Sequence, residues 1–124
     1  RAIDLRLKDD PMQSVCHGDA KGANIMYSTD GGQTVPLVYD FQYCGKAAVT
    51  KDLAYFFNVE ACPSQEEEQR LLQLYHQDLS KLLAAQGDSP PSLQALETSL
   101  ELSLADWRRF TEVGLGGWGD SSAN

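Results

Sequence analysis

Residues 17–24 read HGDAKGAN, and this stretch decides how the rest of the chain is interpreted. Four residues separate Asp19 from Asn24, and Asp40 follows sixteen positions after Asn24 in a second motif, YDFQ, at residues 39–42. One site can contain all three side chains if the intervening chain turns back on itself. Otherwise the sequence describes an acidic domain without recognisable chemistry.

The segment between the two motifs is predicted to form a β-hairpin. Two strand candidates, residues 25–28 and 35–39, flank the turn sequence TDGGQT. The paired glycines of this turn supply the positive φ angles that a tight hairpin requires. A turn centred near Gly32 pairs Asn24 with Asp40 at the open end of the hairpin, beside the loop that carries Asp19. A shift of one residue in the register would spoil this pairing.

Convergent carboxylate and amide oxygens, without a cluster of His and Cys, favour a hard cation. Mg²⁺ prefers oxygen ligands and is usually held by one or two carboxylates together with substrate phosphates. A carboxylate close to such a metal can accept a proton from an attacking hydroxyl. In kinase-type phosphoryl transfer, one loop aspartate meets the nucleophile while an asparagine and a second aspartate hold metal. The order of Asp19, Asn24 and Asp40 fits this division of roles.

Shorter elements are predicted on either side of the hairpin. Weak helical spacing in residues 1–9 ends at Asp10 and Pro11, because a residue that precedes proline is biased away from the helical conformation. Residues 13–16 are a further strand candidate, and residues 51–59 indicate a short buried helix.

Two longer helices are predicted in the second half of the chain. Ser64 with Glu67 forms a capping box at the start of the first, and Ser92 can cap the second. The apolar stripe of the first helix is expected to comprise Leu71, Leu74, Tyr75, Leu79, Leu82 and Leu83. The expected fold class is α+β, with a small β-hairpin region followed by three helices.

Composition limits the classes of function. The 124 residues suit one domain or part of one, and ten basic against 18 acidic residues give a net charge of −8. This balance argues against a general nucleic-acid binder and mildly favours a cationic substrate. No apolar run approaches a membrane span of about 20 residues. The three cysteines form no CxxC pair, so we expect reduced thiols and a cytoplasmic location.

The ordered motifs resemble a known superfamily. HGD with its following asparagine, DFQ at residues 40–42 and DLAYF at residues 52–56 are similar to the C-terminal lobe of the aminoglycoside phosphotransferase and choline kinase-like superfamily. The closest resemblance is to ecdysteroid kinase-like (CHK kinase-like) proteins, strongest over residues 12–60 and looser as far as Trp118. It implies a protein-kinase-like α+β fold of which residues 1–124 form a partial domain, the C-terminal lobe only.

The resemblance implies roles for the three convergent residues. Asp19 would be the catalytic base or orienting carboxylate, and Asn24 and Asp40 would be the Mg²⁺ ligands. ATP and Mg²⁺ are the implied cofactors, and a hydroxyl of a small molecule is the implied phosphate acceptor. The resemblance assigns no substrate-binding residue.

Supporting roles are implied for three further residues. His17 would hold the catalytic loop from within. Asp52 matches an aspartate that ties a helix to this loop, although an ordinary first-turn acid explains it nearly as well. Lys21 would contact phosphate, or would be a solvated loop lysine.

Departures from protein kinases point to a small-molecule kinase. Gly18 stands where an arginine often recognises an activation-loop phosphate, and Gln42 replaces the glycine of Asp-Phe-Gly. Only eleven residues separate Asp40 from Asp52, which is too short for a long activation segment that presents a protein substrate.

The sequence before residue 17 is too short for the nucleotide-binding lobe of a kinase. It has no glycine-rich hairpin and no strand lysine with a helix glutamate partner. Since residue 1 is arginine, we expect an internal fragment whose N-terminal lobe lies in missing sequence, with little or no activity alone. Two alternatives stay open: a non-catalytic kinase-derived binding or scaffold module, and a helical interaction domain without kinase ancestry.

The substrate is left open by the sequence. Trp107, Glu112 and Trp118 could line a cation site, because aromatic faces and acids attract ammonium groups, or could pack in the core.

Overall fold

The computed structural model describes residues 2–115. The helices are α1 (Ala2–Lys8), α2 (Thr50–Phe56), α3 (Gln65–Ala85) and α4 (Leu93–Arg109). The strands are β1 (Gln13–Cys16), β2 (Ile25–Asp30), β3 (Gln33–Val38) and β4 (Gly45–Ala48). A 3₁₀ turn at Gly22–Asn24 precedes β2, and π-helical turns at Phe57–Ala61 and Phe110–Leu115 follow α2 and α4. The predicted α+β class is confirmed.

Strands β2 and β3 form the predicted hairpin, but the predicted register is wrong by one residue. Asp30 pairs with Gln33, and the two-residue loop between them has φ angles of 55° at Gly31 and 82° at Gly32. Since both glycines belong to the loop, the turn is centred between them and not at Gly32. The residue opposite Asn24 is therefore Tyr39, whose amide donates to the Asn24 carbonyl over 3.1 Å.

A second two-stranded sheet joins β1 to β4 in antiparallel fashion, from Gln13 opposite Ala48 to Cys16 opposite Gly45. Strand β4 was not predicted, because GKAA contains none of the β-branched or aromatic residues that mark strands. The pairing brings the end of β1, and hence the HGD loop, next to the start of α2.

The helical core lies between α2, α3 and α4. Its buried members are Ala54, Phe57, Leu72, Leu96 and Leu100. The Ser64–Glu67 capping box is present, and the Ser92 side chain accepts from the amide of Ala95. None of the helices within residues 2–115 has the length and apolar character needed to cross a membrane.

The buried face of α3 differs from the predicted stripe. Leu72 is buried, whereas Leu74 and Leu82 are exposed by 44% and 65%. The predicted helical spacing is correct, but the predicted apolar face is wider than the buried one. Helix α3 packs against the core along one narrow side only. Leucine alone does not mark which neighbouring positions meet a partner.

Helix α4 is fastened to α2 by buried hydroxyl groups. The Thr50 hydroxyl lies 2.8 Å from the hydroxyls of both Ser99 and Ser103. Ser99 Oγ donates to Asp10 Oδ2 over 2.6 Å, so its oxygen can accept from Thr50, and Thr50 in turn from Ser103. This chain of hydrogen bonds fixes α4 against the start of α2, the helix that holds the HGD loop.

Candidate active site

Asp52 joins the HGD loop to helix α2. Its carboxylate accepts from the backbone amides of His17, at 2.6 Å, and Gly18, at 2.9 Å. It lies in the first turn of α2, where a carboxylate is also favoured by the helix dipole. Asp52 is thus a first-turn acid of α2 whose oxygens also hold the loop.

His17 links the HGD loop to the segment after β3. Its Nδ1 accepts from the amide of Asp19 at 3.2 Å, so Nε2 carries the proton and donates to the Tyr39 carbonyl at 2.9 Å. The imidazole is buried and lies against the Phe41 ring, with 4.8 Å between ring centroids. One side chain thus spans the HGD and DFQ motifs.

Asp19 is buried, and both of its carboxylate oxygens are occupied. Oδ1 accepts from the Tyr55 hydroxyl at 2.7 Å. Oδ2 accepts from Asn24 Nδ2 at 3.0 Å and from Lys21 Nζ at 2.9 Å. Hydrogen bonds from Lys21 and Tyr55 hold the pKa of Asp19 below its ordinary value. A carboxylate held in this way is ionised at neutral pH and aimed by three partners.

Tyr55 is the site residue that the sequence analysis missed. Burial, followed by its hydrogen bond to Asp19, raises the pKa of the Tyr55 hydroxyl, which therefore stays protonated and donates. A signal was available in the sequence, since Tyr55 follows Asp52 by three residues. Side chains three apart share a helix face, and Asp52 is tied to the loop that carries Asp19.

Lys21 lies at the surface beside two aspartates. Its ammonium is paired with Asp19, and this hydrogen bond raises the pKa of Lys21, with a smaller contribution from the charge of Asp40. The ammonium is therefore within electrostatic reach of Asp19 and of Asp40, one of the two predicted metal ligands.

Asn24 and Asp40 lie at the open end of the hairpin, as predicted, although they are not directly paired. Asn24 Nδ2 donates to the carbonyl of Asp19 at 2.9 Å, which orients the amide and directs Oδ1 away from that carbonyl. Asp40 is exposed and has a φ of 63°, a left-handed conformation that aspartate tolerates better than most residues. Among residues 2–115, no three His, Cys, Asp or Glu side chains form a group that could hold a metal ion.

A cavity of about 750 Å³ opens beside Asp19, between the HGD loop, β4, α2 and the end of α4. Its aromatic wall includes Tyr55 and Trp107, whose rings meet edge to face with centroids 4.8 Å apart. Phe110 continues this wall, 5.7 Å from Trp107. Of the aromatic and acidic set proposed from the sequence, Trp107 lines the cavity, Glu112 does not, and Trp118 lies outside the described residues.

Asp106 closes the cavity on the α4 side. Its Oδ1 accepts from Arg109 at 2.8 Å, and its Oδ2 faces Lys51 Nζ at 3.2 Å. Burial raises the pKa of Asp106, but Arg109 and Lys51 together outweigh it and leave the pKa below its ordinary value. The pair with Lys51 connects the end of α4 to the first turn of α2, whereas the pair with Arg109 lies within α4.

Comparison with known proteins gives one match. The model of the ecdysteroid kinase-like family matches residues 3–87, which include the HGD loop, the DFQ segment and Asp52. Neither the curated proteins nor the solved structures contain a significant match to the chain. The family match covers more than half of the sequence and confirms the family predicted from its motifs. The chain therefore belongs to the ecdysteroid kinase-like family.

Proposed function

We propose that the chain carries the phosphate-transfer centre of an ATP- and Mg²⁺-dependent small-molecule kinase. The γ-phosphate of ATP would move to a substrate hydroxyl bound in the cavity beside Asp19. The observation that carries this proposal is the position of Asp19, whose carboxylate faces the cavity and is held by Lys21, Asn24 and Tyr55.

Asp19 is the proposed proton acceptor. As the substrate oxygen forms its bond to the γ-phosphorus, the bond from phosphorus to the β-bridging oxygen breaks, ADP leaves, and the hydroxyl proton passes to Asp19. Because its pKa is low, Asp19 is a weak base that first orients the hydroxyl and accepts the proton late in the transfer. Tyr55 donates to Oδ1 and is itself part of the aromatic wall, so a substrate hydroxyl would approach Asp19 along this side.

Asn24 and Asp40 fit a magnesium ion through the chemistry of their donors. The Asn24 amide points its nitrogen at Asp19, so its oxygen is left for a hard cation, and the exposed Asp40 carboxylate supplies a second oxygen. When bound, Mg²⁺ would neutralise charge on the ATP phosphates. Lys21 would exchange its contact with Asp19 for one with a phosphate oxygen. An N-terminal lobe is proposed to complete the nucleotide site.

Calorimetric titration of the purified chain with ATP, with and without Mg²⁺, tests the metal site. We expect Mg²⁺-dependent binding that is lost in Asp40→Ala. The matched control is Asp30→Ala, which removes an exposed aspartate at the turn end of the same hairpin and should leave binding unchanged.

Two outcomes separate the proposal from the scaffold alternative. If the chain joined to its upstream sequence also fails to bind ATP with Mg²⁺, the proposed centre is wrong and a non-catalytic module is favoured. Binding that survives Asp40→Ala would remove Asp40 from the metal site.

A further inference from the structure

Tyr39 lies between the two predicted metal ligands, since it precedes Asp40 in the chain and lies opposite Asn24 across the hairpin. Its amide donates to the Asn24 carbonyl at 3.1 Å. Its side-chain hydroxyl donates to the carbonyl of Ala23. The carbonyl before the Asn24 Cα and the carbonyl after it are therefore both bound by one residue.

The remaining polar groups of Asn24 are held from within the HGD loop. Its amide donates to the Lys21 carbonyl at 2.9 Å, which closes the 3₁₀ turn Gly22–Asn24. Its side-chain nitrogen donates to the carbonyl and to the carboxylate of Asp19, and the whole residue is buried. Tyr39 thus supplies the contacts that fix Asn24 from the other side of the hairpin.

The carbonyl of Tyr39 fixes the backbone at Asp40. It accepts from Nε2 of the buried His17 at 2.9 Å. Because a peptide unit is planar, this hydrogen bond also fixes the amide of Asp40, after which the chain takes its φ of 63°. Tyr39 therefore sets the place of Asn24 through its hydroxyl and amide, and that of Asp40 through its carbonyl.

A fixed relation between two oxygen ligands bears on the choice of cation. Mg²⁺ is small and demands nearly octahedral coordination at short distances, whereas Ca²⁺ accepts longer and more variable contacts. Ligands that gain freedom to move should therefore lose more affinity for Mg²⁺ than for Ca²⁺.

We propose that Tyr39 is a positioning residue of the metal site and that its hydroxyl contributes to a preference for Mg²⁺ over Ca²⁺. This inference rests on the proposed phosphotransferase function. By binding the Ala23 carbonyl, the hydroxyl keeps the peptide unit before Asn24 from tilting. The Asn24 side-chain oxygen then stays directed towards the cation that Asp40 would share.

Tyr39→Phe removes the hydroxyl and keeps the ring and both backbone contacts. The test is calorimetric titration with ATP in the presence of Mg²⁺ or of Ca²⁺, on the purified chain or, if ATP binding requires it, on the chain joined to its upstream sequence. We expect the affinity measured with Mg²⁺ to fall about fivefold, as for the loss of one hydrogen bond. The affinity measured with Ca²⁺ should fall less than about twofold.

The matched control is Tyr27→Phe, which removes the hydroxyl of a tyrosine on β2 that is 71% exposed. It should change neither affinity.

Amide hydrogen exchange, followed by NMR, tests the positioning role without metal or nucleotide. The Asn24 amide should exchange about fivefold faster in Tyr39→Phe than in the wild type, because the turn that contains it opens more easily. The amide of Leu72, in the core-facing part of α3, should exchange at an unchanged rate, which separates local loosening from a general loss of stability.

Unchanged exchange of the Asn24 amide in Tyr39→Phe would overturn the positioning role, whether or not metal binds. An equal loss of affinity with both cations would overturn the contribution to ion preference. If the wild type binds ATP with Mg²⁺ and Tyr39→Phe binds it equally well, the proposed centre stands and only the role of Tyr39 fails. If the wild type does not bind ATP with Mg²⁺ even with its upstream sequence, both proposals fail.

Discussion

At the scale of single residues, Gly18 shows how closely the HGD loop is built against its surroundings. Its φ is 82°, and a Cβ added there would overlap the Tyr43 carbonyl oxygen and lie 2.9 Å from the Tyr43 Cβ. Gly32 has the same φ of 82°, but a Cβ added there would meet nothing within 4 Å. The two positions therefore separate the effect of backbone conformation from that of steric overlap.

Gly18→Ala is expected to lower the free energy of unfolding by about 3 kcal/mol or more, because it adds a backbone overlap to the left-handed strain. Gly32→Ala should lower the free energy of unfolding by about 1 kcal/mol, because it introduces only the left-handed strain. Urea denaturation followed by circular dichroism measures both. Equal losses in the two variants would contradict the tight approach of Tyr43 to Gly18.

Some residues of the candidate site can be recognised from a short stretch of sequence, and others cannot. His17, Asp19 and Asn24 are recognisable because eight consecutive residues contain them. Tyr55 is not recognisable in this way, since its place beside Asp19 depends on the rotation of α2. The sequence predicts the correct end of the hairpin for Asp40. The predicted centre of the turn is wrong by half a residue, so Asp40 does not lie opposite Asn24 as predicted.

At the scale of secondary structure, the contact between α2 and α4 depends on polar groups inside an apolar interface. Thr50 is fully buried and bonds to two serines of α4. Serine and threonine are ordinary surface residues in a sequence, and nothing in their spacing indicated a buried network. Strand β4 escaped prediction for a similar reason, because its pairing with β1, and not its own composition, makes it a strand.

Replacing Thr50 by valine keeps the shape of the side chain and removes its hydroxyl. We expect the free energy of unfolding to fall by about 1–3 kcal/mol, because buried serine hydroxyls lose their partner. Thr98→Val is the control, since Thr98 is exposed on α4 and bonds only to the Gln94 carbonyl; its effect should stay within about 0.5 kcal/mol. If Thr50→Val left the free energy of unfolding unchanged, the hydroxyl network would add nothing to the stability of the α2–α4 contact.

The ion pairs of Asp106 should make this contact sensitive to acid. The folded pKa of Asp106 lies below its ordinary value of about 3.9, so the stabilisation is complete above that pH and is lost as the pH falls through the folded pKa. Because Lys51 and Arg109 are about half exposed, we expect the ion pairs to contribute at most about 1 kcal/mol to the free energy of unfolding.

Asp106→Asn should therefore be less stable than the wild type at pH 7, and this deficit should shrink as the pH falls below about 3.9, as measured by urea denaturation at pH 7 and at acidic pH. Asp78→Asn, which breaks an exposed pair with Lys81, serves as the control and should show no such difference. A constant deficit for Asp106→Asn across the pH range would rule out the ion pairs as its cause.

At the scale of the whole molecule, little apolar surface holds the chain together. Within residues 2–115, the buried helical core has five members, and the hairpin lies outside it, with every residue of β3 exposed. Apolar hairpin side chains such as Met26 and Tyr27 are exposed by 55% and 71%. Hydrophobic burial is the main source of folding free energy, so we expect marginal stability, roughly 5 kcal/mol.

Leu96 is fully buried at the centre of this core, so Leu96→Ala should lower the free energy of unfolding by about 2–5 kcal/mol. Leu82→Ala, at an exposed position of α3, should change the free energy of unfolding by less than about 0.5 kcal/mol. Circular dichroism against urea concentration compares the two. A loss of less than about 1 kcal/mol in Leu96→Ala would contradict the central place of Leu96 in this core.

The position of α4 has a consequence for how this family can diversify. The matched region ends at residue 87, and it contains every group proposed to handle phosphate. Trp107, Asp106 and Arg109, which form the α4 wall of the cavity, come after that point. The groups proposed to handle phosphate and the α4 side of the cavity wall thus lie in consecutive stretches of the sequence. An exchange of the later stretch between relatives is therefore expected to remodel this side of the cavity and to leave the groups proposed for phosphate transfer unchanged.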